Sequence, residues 1–396
     1  MGLRTENLEQ FAIDVILERR HGIRATLLRA LLYALSFIYE WMVQLRLFLY
    51  RHRIFRERTL GCLVISIGNL TVGGTGKTPI VEKFARAMRA GGRRVAILSR
   101  GYKSVPRPVP GKGWNFFSRK DPSPPRVVSD GKTLLLDSLI AGDEPYMLAN
   151  NLKDVIVLVD KDRVKSGLFA IKELKADTLL LDDGLQYLHL KHRLDIVLID
   201  RQAPFGNEHL LPRGTLRKPP RNLRRASYIF ITKSTGQPND SLVKRIRRYN
   251  RTAEIIECAH RPLHLQNVFS GEQIPLEKLR DTYIGSLCGI AVPESFEEGL
   301  RELGARIEVS KRYTDHHRYT EAELQSFINR CIRRDLAMIV TTEKDAVRFP
   351  RLTKTEVPIY FLRVEIEILS GHESWEHCVA RICKPQPMLS PARFFA

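Results

Sequence analysis

The chain has 396 residues, 43% hydrophobic and 27% charged, which is enough to bury the core of one large domain or two smaller ones. Its 64 Lys and Arg residues against 44 Asp and Glu residues give a net charge of +20, and a surface this basic predicts an anionic partner: nucleic acid, an anionic membrane or a phosphorylated substrate. The six cysteines include no Cys-x-x-Cys pair, which argues against zinc or disulfide use and favours a reduced, cytoplasmic setting.

Residues 1–55 form an N-terminal segment that is apolar and aromatic between residues 25 and 50. Its longest uncharged run, residues 30–39, is shorter than the about 20 residues that a bilayer-spanning helix needs. Arginines flank the apolar stretch, a pattern typical of an amphipathic helix that lies in a membrane interface with basic residues toward anionic headgroups. The same pattern would also suit a helix packed on its own domain.

Residues 56–235 alternate short apolar runs with helical patterns, so we expect a core domain with a parallel β-sheet sandwiched by helices. A Gly- and Pro-containing break predicts a domain boundary near residue 235, and residues 236–396 predict a second, smaller α/β domain with a tail. Residues 104–125, rich in Pro, Gly, Lys and Arg, predict a long surface loop. The runs that predict strands are 62–67, 95–98, 155–159, 179–183, 196–200 and 228–232.

A glycine-rich loop separates the first predicted strand from the helix that follows it, which is the context of a P-loop NTPase phosphate loop. Backbone N–H groups in such a loop surround phosphate oxygens, and the helix N-terminus adds its positive end. We expect Lys77 to reach the β- and γ-phosphates of ATP and Thr78 to hold Mg²⁺. Thr71 stands where the strict pattern has glycine. The predicted nucleotide-binding residues are Thr71, Val72, Gly73, Gly74, Thr75, Gly76, Lys77 and Thr78.

Three carboxylates and a histidine are candidates for the remaining chemistry. Asp182 and Asp183 end a predicted strand, which predicts a Mg²⁺ site, although an ordinary turn would have the same residues. Asp143, in a Gly-Asp-Glu-Pro run, either caps a helix or accepts a proton from a substrate hydroxyl. His316, in an Asp-His-His run, either assists proton transfer or is a loop histidine.

A set of motifs, in order and combination, resembles the tetraacyldisaccharide 4'-kinases of lipid A biosynthesis from about residue 30 to 380. The resemblance implies an ATP- and Mg²⁺-dependent enzyme that phosphorylates the 4'-hydroxyl of a tetraacyldisaccharide 1-phosphate to give lipid IV-A. It also implies a position at the cytoplasmic face of a Gram-negative inner membrane. The motifs are Gly68-Asn69 through Lys77-Thr78-Pro79, Ser99-Arg100-Gly101-Tyr102, Gly142-Asp143-Glu144-Pro145, Asp182-Asp183-Gly184-Leu185-Gln186, Phe205-Gly206-Asn207, Leu210-Leu211-Pro212-Arg213-Gly214-Thr215-Leu216-Arg217, Gly289-Ile290 with Pro293 and Phe296, Asp315-His316-His317, and Thr342-Glu343-Lys344-Asp345.

The resemblance implies roles for particular residues. Asp143 matches the family's catalytic base, and His316, directly after Asp315, matches the histidine that pairs with that base. Arg217 matches an arginine of the active site. Because Asp143 and His316 lie on opposite sides of the predicted boundary at 235, we expect domain closure to assemble the pair and exclude water.

The resemblance also assigns Asp182 and Asp183 to the magnesium site, with Gln186 nearby. Two positions depart from the family's pattern: Lys218 replaces an acidic residue that usually follows the arginine, and Thr215 stands where proline is common. These departures leave the contacts near residues 213–218 open.

Two other functions fit the residues without the resemblance: a soluble P-loop kinase of a small metabolite, and a nucleotide-switched membrane scaffold. The chain contains no recognisable nucleic-acid-binding module, and its aromatic N-terminus favours a membrane, so we expect no nucleic-acid partner. We expect a monomer that meets a lipid substrate at the inner membrane surface.

Overall fold

The computed structural model describes residues 2–102, 104–105, 123–352 and 355–384 of the chain. Most of the loop predicted at 104–125, and the tail from residue 385, lie outside these residues. The described residues form a 13-stranded sheet with helices packed on both faces, which confirms the predicted α/β fold of the P-loop NTPase type.

The helices are α1 (Gly2–Ile16), α2 (Ile23–Arg51), α3 (Lys77–Ala90), α4 (Ser138–Ala141), α5 (Asp143–Asn151), α6 (Arg163–Lys172), α7 (Asp240–Tyr249), α8 (Pro293–Glu302), α9 (Glu321–Ile332), α10 (Glu343–Ala346) and α11 (His372–Cys383). The strands are β1 (Leu63–Asn69), β2 (Val95–Ser99), β3 (Arg126–Asp130), β4 (Ile156–Val159), β5 (Thr178–Asp182), β6 (Leu194–Asp200), β7 (Tyr228–Thr232), β8 (Glu254–Asn267), β9 (Gln273–Ile274), β10 (Tyr283–Cys288), β11 (Arg306–Arg312), β12 (Met338–Thr342) and β13 (Ile359–Ser370).

The strand order is β11-β10-β12-β13-β8-β7-β6-β1-β5-β2-β4-β3, with β9 paired to β8. Strands β4, β2, β5, β1, β6 and β7 are parallel, and β3 pairs antiparallel with β4 at one edge. Because parallel strands end at the same edge of a sheet, the loops after β1 and β5 meet there.

Alternate residues of the central strands face opposite sides of the sheet, and both sides are covered. Ile65 and Ile67 of β1 pack with Phe84 of α3, whereas Val64 packs on the opposite face with Ala170 of α6. This is why the strands are continuous apolar runs rather than alternating ones. Removing a fully buried aromatic side chain such as Phe84 would cost about 3–5 kcal/mol.

The sheet continues across the predicted boundary at residue 235. The start of β8 pairs with β7, and its later residues pair antiparallel with β13, so these two long strands join both halves. Helix α11 then returns to the first half, where Cys378 and Ile382 belong to the same apolar cluster as Phe84. The division at 235 stays a prediction, and the C-terminal helix completes the core of residues 56–235.

The N-terminal segment consists of two helices, α1 and α2. Helix α2 has 29 residues and a mean hydropathy of 1.3 in its most apolar window, so by length and composition alone it could cross a membrane. Only 6% of that window is buried against the rest of the protein. The large apolar side chains that α2 leaves exposed are Ile23, Leu27, Leu31, Tyr33, Leu35, Phe37, Ile38, Trp41, Met42, Leu45 and Phe48.

Candidate active site

The phosphate loop leaves β1 after Asn69 and enters α3 at Lys77, as the glycine-rich pattern predicts. Gly76, the residue before the helix, has a φ of 75°, and a Cβ there would lie 2.8 Å from the ring of His260. Only glycine satisfies both conditions, which explains the residue before the lysine. The Nζ of Lys77 lies 3.2 Å from the side-chain oxygen of Asn69 and 4.0 Å from Asp183.

Thr71, which replaces the first glycine of the strict pattern, pairs with a neighbouring loop. It forms an isolated antiparallel bridge with Leu216, and the N–H of Val72 donates to the carbonyl of Thr215 at 2.8 Å. Thr71 is buried, and the side-chain amide of Asn69 donates to the carbonyl of Thr71 at 2.8 Å. The departure from glycine therefore coincides with a backbone pairing that holds the start of the loop.

Asp182 is the last residue of β5 and pairs in register with Ile67 of β1, beside the phosphate loop. One carboxylate oxygen accepts a hydrogen bond from Ser99 at 3.2 Å, and the other has no partner among the described residues. Burial, followed by the charge of Glu144, raises the pKa of Asp182 to about 6. A cation at this carboxylate would offset both effects.

Asp183 has a different environment, although it is the next residue. Its φ is 54°, and Arg217 donates to both of its oxygens, at 2.6 and 2.9 Å. Burial would raise the pKa of Asp183, but the hydrogen bonds from Arg217 and the charge of Lys77 lower it below its usual range. Both oxygens of Asp183 are thus bound by Arg217, whereas Asp182 has one carboxylate oxygen without a partner among the described residues.

Asp143 is the first residue of α5, and Gly142, with a φ of 91°, occupies the N-cap position. The interpretation of Asp143 as the capping residue is therefore wrong. Its side chain turns toward the second half of the chain, where its Oδ2 lies 3.1 Å from Nδ1 of His316. Arg318 donates to Oδ1 at 3.0 Å, and Arg348 donates to Oδ2 at 2.8 Å.

These three partners determine the charge state of Asp143. Burial would raise the pKa of the carboxyl, but the hydrogen bond from His316 and the charges of Arg348 and Arg318 lower it below its usual range. The carboxylate is therefore ionised at neutral pH and able to accept a proton.

The loop that carries His316 is fixed by its backbone. The φ of His316 is 66°, its N–H donates to the carbonyl of Gly289 at 3.3 Å, and the ring of Tyr102 lies 5.5 Å away, edge-on. Arg348 also donates to the carbonyl of Gly289, at 3.1 Å, and pairs with the fully buried Asp345 at 3.1 Å. His316 and Arg348 thus belong to one hydrogen-bonded cluster that contacts Asp143, because both bond the carbonyl of Gly289.

Glu144, the residue after Asp143 in α5, links the surroundings of Asp143 electrostatically to the phosphate loop. Burial would raise the pKa of Glu144, but the charges of Lys344 and Lys77 lower it. Lys344 also donates to Glu144 at 2.9 Å, across the two halves of the chain. Glu144, the neighbour of Asp143, is therefore close enough to Lys77 for their charges to interact.

Gln186 and Asp315, the two further residues predicted near the site, make weaker contacts. The amide of Gln186 reaches the carbonyl of Asn69 at 3.5 Å, and Asp315, 40% exposed at its side chain, lies 3.8 Å from Nε2 of His316. The predicted residues thus form two groups: Asp143 contacts His316, whereas Lys77, Asp183 and Arg217 contact one another at the ends of β1 and β5.

Sequence reasoning missed Arg318 and Arg348, and it did not identify Ser99 or Asn69 as partners inside the site. Arg318 directly follows the Asp-His-His run, and Arg348 lies three residues after the Thr-Glu-Lys-Asp run. Their proximity in sequence to those motifs was the available signal.

Lys218, the departure from the family's acidic residue, is buried and donates to the carbonyl of Leu185 at 2.5 Å. Burial, with the charge of Arg225, lowers its pKa to about 7.

Residues 28–384 match the LpxK family, described as tetraacyldisaccharide-1-P 4'-kinase. The chain belongs to this family. A tetraacyldisaccharide 4'-kinase from Syntrophus aciditrophicus (strain SB) is 38% identical over 89% of this chain and 93% of its own. One from Anaeromyxobacter dehalogenans (strain 2CP-C) is 38% identical over 84% of this chain and 85% of its own.

A solved structure with the same architecture is LpxK from Aquifex aeolicus in complex with ATP. It has 27% sequence identity and a TM-score of 0.69, and the match covers 90% of this chain and 99% of that one. The predicted resemblance and the assignment to the tetraacyldisaccharide 4'-kinases, with ATP as phosphoryl donor, are confirmed. A kinase of a small soluble metabolite and a non-enzymatic scaffold are no longer supported.

Proposed function

We propose that this tetraacyldisaccharide 4'-kinase uses Asp143 as the general base for the 4'-hydroxyl of tetraacyldisaccharide 1-phosphate, and that the product is lipid IV-A. The observation that supports this proposal is the pair formed by Asp143 and His316, 3.1 Å apart across the two halves of the chain. Glu144, the neighbour of Asp143, interacts with the charge of Lys77, where the γ-phosphate of ATP would bind.

The acceptor is a sugar hydroxyl, whose proton must leave as the bond to phosphorus forms. Asp143 is ionised, and its Oδ2 is already engaged by His316 and by the buried Arg348. Oδ1 is held by Arg318, whose side chain is 36% exposed. We infer that the acceptor hydroxyl approaches Oδ1 and displaces Arg318, because this partner is the more exposed of the two arginines. His316 then holds the carboxylate in place and stabilises it after proton transfer.

The donor side of the reaction consists of the phosphate loop and Arg217. Backbone N–H groups of residues 71–78 would bind the phosphates of ATP, and Lys77 would offset the charge of the transferring group. Arg217 would turn part of its guanidinium from Asp183 toward the same oxygens. Phosphoryl transfer then depends mainly on positioning and charge, as in other P-loop enzymes.

The residues present fit a Mg²⁺ ion. Asp182 has a buried oxygen without a partner among the described residues, and Thr78 places a hydroxyl at the start of α3. We propose Asp182 and Thr78 as the ligands, with Asp183 holding Arg217. The ion would neutralise charge on the β- and γ-phosphates.

We propose that α1 and α2 place the enzyme at the cytoplasmic face of the inner membrane, where the lipid acceptor is found. The exposed apolar side chains of α2 and the surrounding arginines support this position. Burying the exposed face of α2 in lipid removes its apolar side chains from water. We further propose that the enzyme acts as a monomer.

The proposal is tested by supplying the purified enzyme with ATP, Mg²⁺ and the disaccharide 1-phosphate lipid, and resolving the product by mass. We expect the acceptor to gain one phosphate at the 4' position. Transfer to a water-soluble sugar at the same rate, without transfer to the lipid, would contradict the acceptor. Sedimentation in detergent would separately report the oligomeric state.

A further inference from the structure

A short loop that contains Arg217 packs between the N-terminal helices and the phosphate loop and contacts both. We define the docking loop as residues 209–218, between β6 and β7. Its outer side contacts α1 and α2, whereas its inner side contacts the phosphate loop and the turn after β5. The predicted role of Arg217 does not explain the outer contacts.

The outer side is held by two side chains of α2 and by one residue that follows α1. The hydroxyl of Ser36, one of the few buried residues of α2, lies 3.0 Å from the carbonyl of Leu210 and 2.9 Å from that of Leu32 on its own helix, and it accepts from the N–H of Arg213 at 3.3 Å. Tyr39, one turn further along α2, donates from its hydroxyl to the carbonyl of Arg217 at 3.0 Å. Arg213 also pairs with Glu18 at 2.6 Å, after α1.

The inner side pairs with the phosphate loop through the backbone. The N–H of Arg217 donates to the carbonyl of Leu70 at 2.7 Å, and the N–H of Val72 donates to the carbonyl of Thr215 at 2.8 Å. These hydrogen bonds lie on both sides of the bridge between Thr71 and Leu216. The docking loop therefore forms a short antiparallel ribbon with the first residues of the phosphate loop.

The same loop also holds the turn that carries the acidic pair. The guanidinium of Arg217 binds both oxygens of Asp183, and Lys218 donates to the carbonyl of Leu185. Arg217 thus has three kinds of contact: its carbonyl with Tyr39, its N–H with Leu70, and its side chain with Asp183 and Asn69. A displacement of the carbonyl would rotate the peptide and move the guanidinium.

We propose that Tyr39 is a positioning residue for phosphoryl transfer: by holding the carbonyl of Arg217, it sets the position of the guanidinium and of the phosphate loop. Ser36 acts in the same way at the other end of the docking loop. The inference rests on the proposed role of Arg217 at the transferring phosphoryl group. It follows that release of α2 from the docking loop slows transfer, although α2 does not contact the reacting atoms.

The test compares Tyr39→Phe with Tyr50→Phe in the full-length enzyme, in mixed micelles containing the lipid acceptor. Tyr50 lies on the same helix, and its hydroxyl makes no hydrogen bond within the described part of the chain. We expect Tyr39→Phe to lower kcat about three- to tenfold, the effect of one lost hydrogen bond, with unchanged Tm and micelle binding. Tyr50→Phe should match the wild type.

A double-mutant cycle with Arg217→Lys tests whether Tyr39 affects kcat through the guanidinium of Arg217. If Tyr39 acts through the guanidinium of Arg217, Tyr39→Phe should lower kcat much less in the Arg217→Lys background than in the wild type. An equal fold-loss in both backgrounds, or wild-type kcat in Tyr39→Phe alone, would overturn the inference. Ser36→Ala provides a second variant, with the same expectation.

Amide hydrogen exchange separates this inference from the proposed role of Arg217. Wild-type turnover in Arg217→Lys would contradict that role. In that case the backbone coupling is judged by exchange at residues 70–76. Faster exchange in Tyr39→Phe, but not in Tyr50→Phe, supports positioning of the phosphate loop by α2, and unchanged exchange overturns it.

Discussion

Arg348 donates from Nε to Oδ2 of Asp143 over 2.8 Å, although the two residues are 205 positions apart in sequence. The side chain of Arg348 is fully buried, and it also contacts Asp345, the carbonyl of Gly289 and, at 3.2 Å, Nδ1 of His316. The carboxylate proposed as base comes from the first half of the chain, whereas its orientation and charge state depend on the second half. The competent base therefore needs residues from both halves of the chain.

The first prediction concerns Asp143 itself. We expect Asp143→Asn to lower kcat about 10²- to 10⁴-fold, because the amide cannot accept the acceptor's proton. Binding of an ATP analogue should change little, since the side chain of Asp143 bonds His316, Arg318 and Arg348 and not the phosphate loop. Steady-state kinetics and calorimetry measure the two effects. Turnover close to that of the wild type in Asp143→Asn would exclude Asp143 as the base.

The second prediction concerns Arg348. Arg348→Lys keeps a positive charge but cannot bond Asp143, Asp345 and Gly289 together, because lysine lacks the planar fork of donors. We expect kcat to fall at least tenfold, with a KM for ATP near that of the wild type. Arg348→Ala should also lose about 3–5 kcal/mol of stability, because Asp345 becomes a buried, unpaired charge. Chemical denaturation of both variants would separate the catalytic effect from the structural one.

The third prediction concerns the proposed magnesium ligand. Asp182→Asn should raise the Mg²⁺ concentration for half-maximal activity about 10- to 100-fold, because an amide is a weaker ligand than a carboxylate. Ser99→Ala, which removes the hydrogen bond to the same carboxylate, serves as the matched control and should have a smaller effect. Magnesium titrations at saturating ATP measure both. Equal effects of the two substitutions would argue that Asp182 is not a ligand.

The fourth prediction concerns the exposed face of α2. Trp41 and Phe37 are 64% and 57% exposed, and replacing both with serine removes a large part of the apolar area available to lipid. We expect the variant to bind anionic vesicles at least tenfold more weakly in a sedimentation assay, because each aromatic side chain contributes through its buried area. Circular dichroism should be unchanged. Unaltered vesicle binding would contradict membrane contact through this face.

The fifth prediction is a pH dependence of stability in the second half. Glu297 accepts two hydrogen bonds from Arg312 and one from Ser310, and the bonds from Arg312, against the effect of burial, lower its pKa to about 2. Since the pKa is lower in the folded state, the stabilisation is complete above about pH 4.5 and is lost as the pH falls toward 2.

Glu297→Gln should therefore unfold at a lower urea concentration than the wild type at pH 7. The difference between the two proteins should shrink at pH 3.5, where the wild-type carboxyl approaches its folded pKa. Urea titrations at both pH values measure it. A difference that stays constant between pH 7 and 3.5 would show that the ion pair does not stabilise the fold.

Much of the first half was predictable because its signals are local. The continuous apolar strands, the glycines before Lys77 and the paired carboxylates at the end of β5 each depend on a few neighbouring residues. Parallel pairing then requires the ends of β1 and β5 to meet, so the phosphate loop and Asp182 had to be close. The family motifs extended this to Asp143 and His316.

The tertiary structure decided what depends on distant contacts. Local periodicity carries no information on which side chain meets Asp143 after the two halves close, so Arg318 and Arg348 had no signal beyond their proximity to motifs. Local periodicity also could not distinguish Asp183, which binds Arg217, from Asp182, which has an oxygen without a partner among the described residues. The sequence by itself determined which residue types and loops are present. Folding determined their charge states and their contacts, because both arise from burial and from neighbours far along the chain.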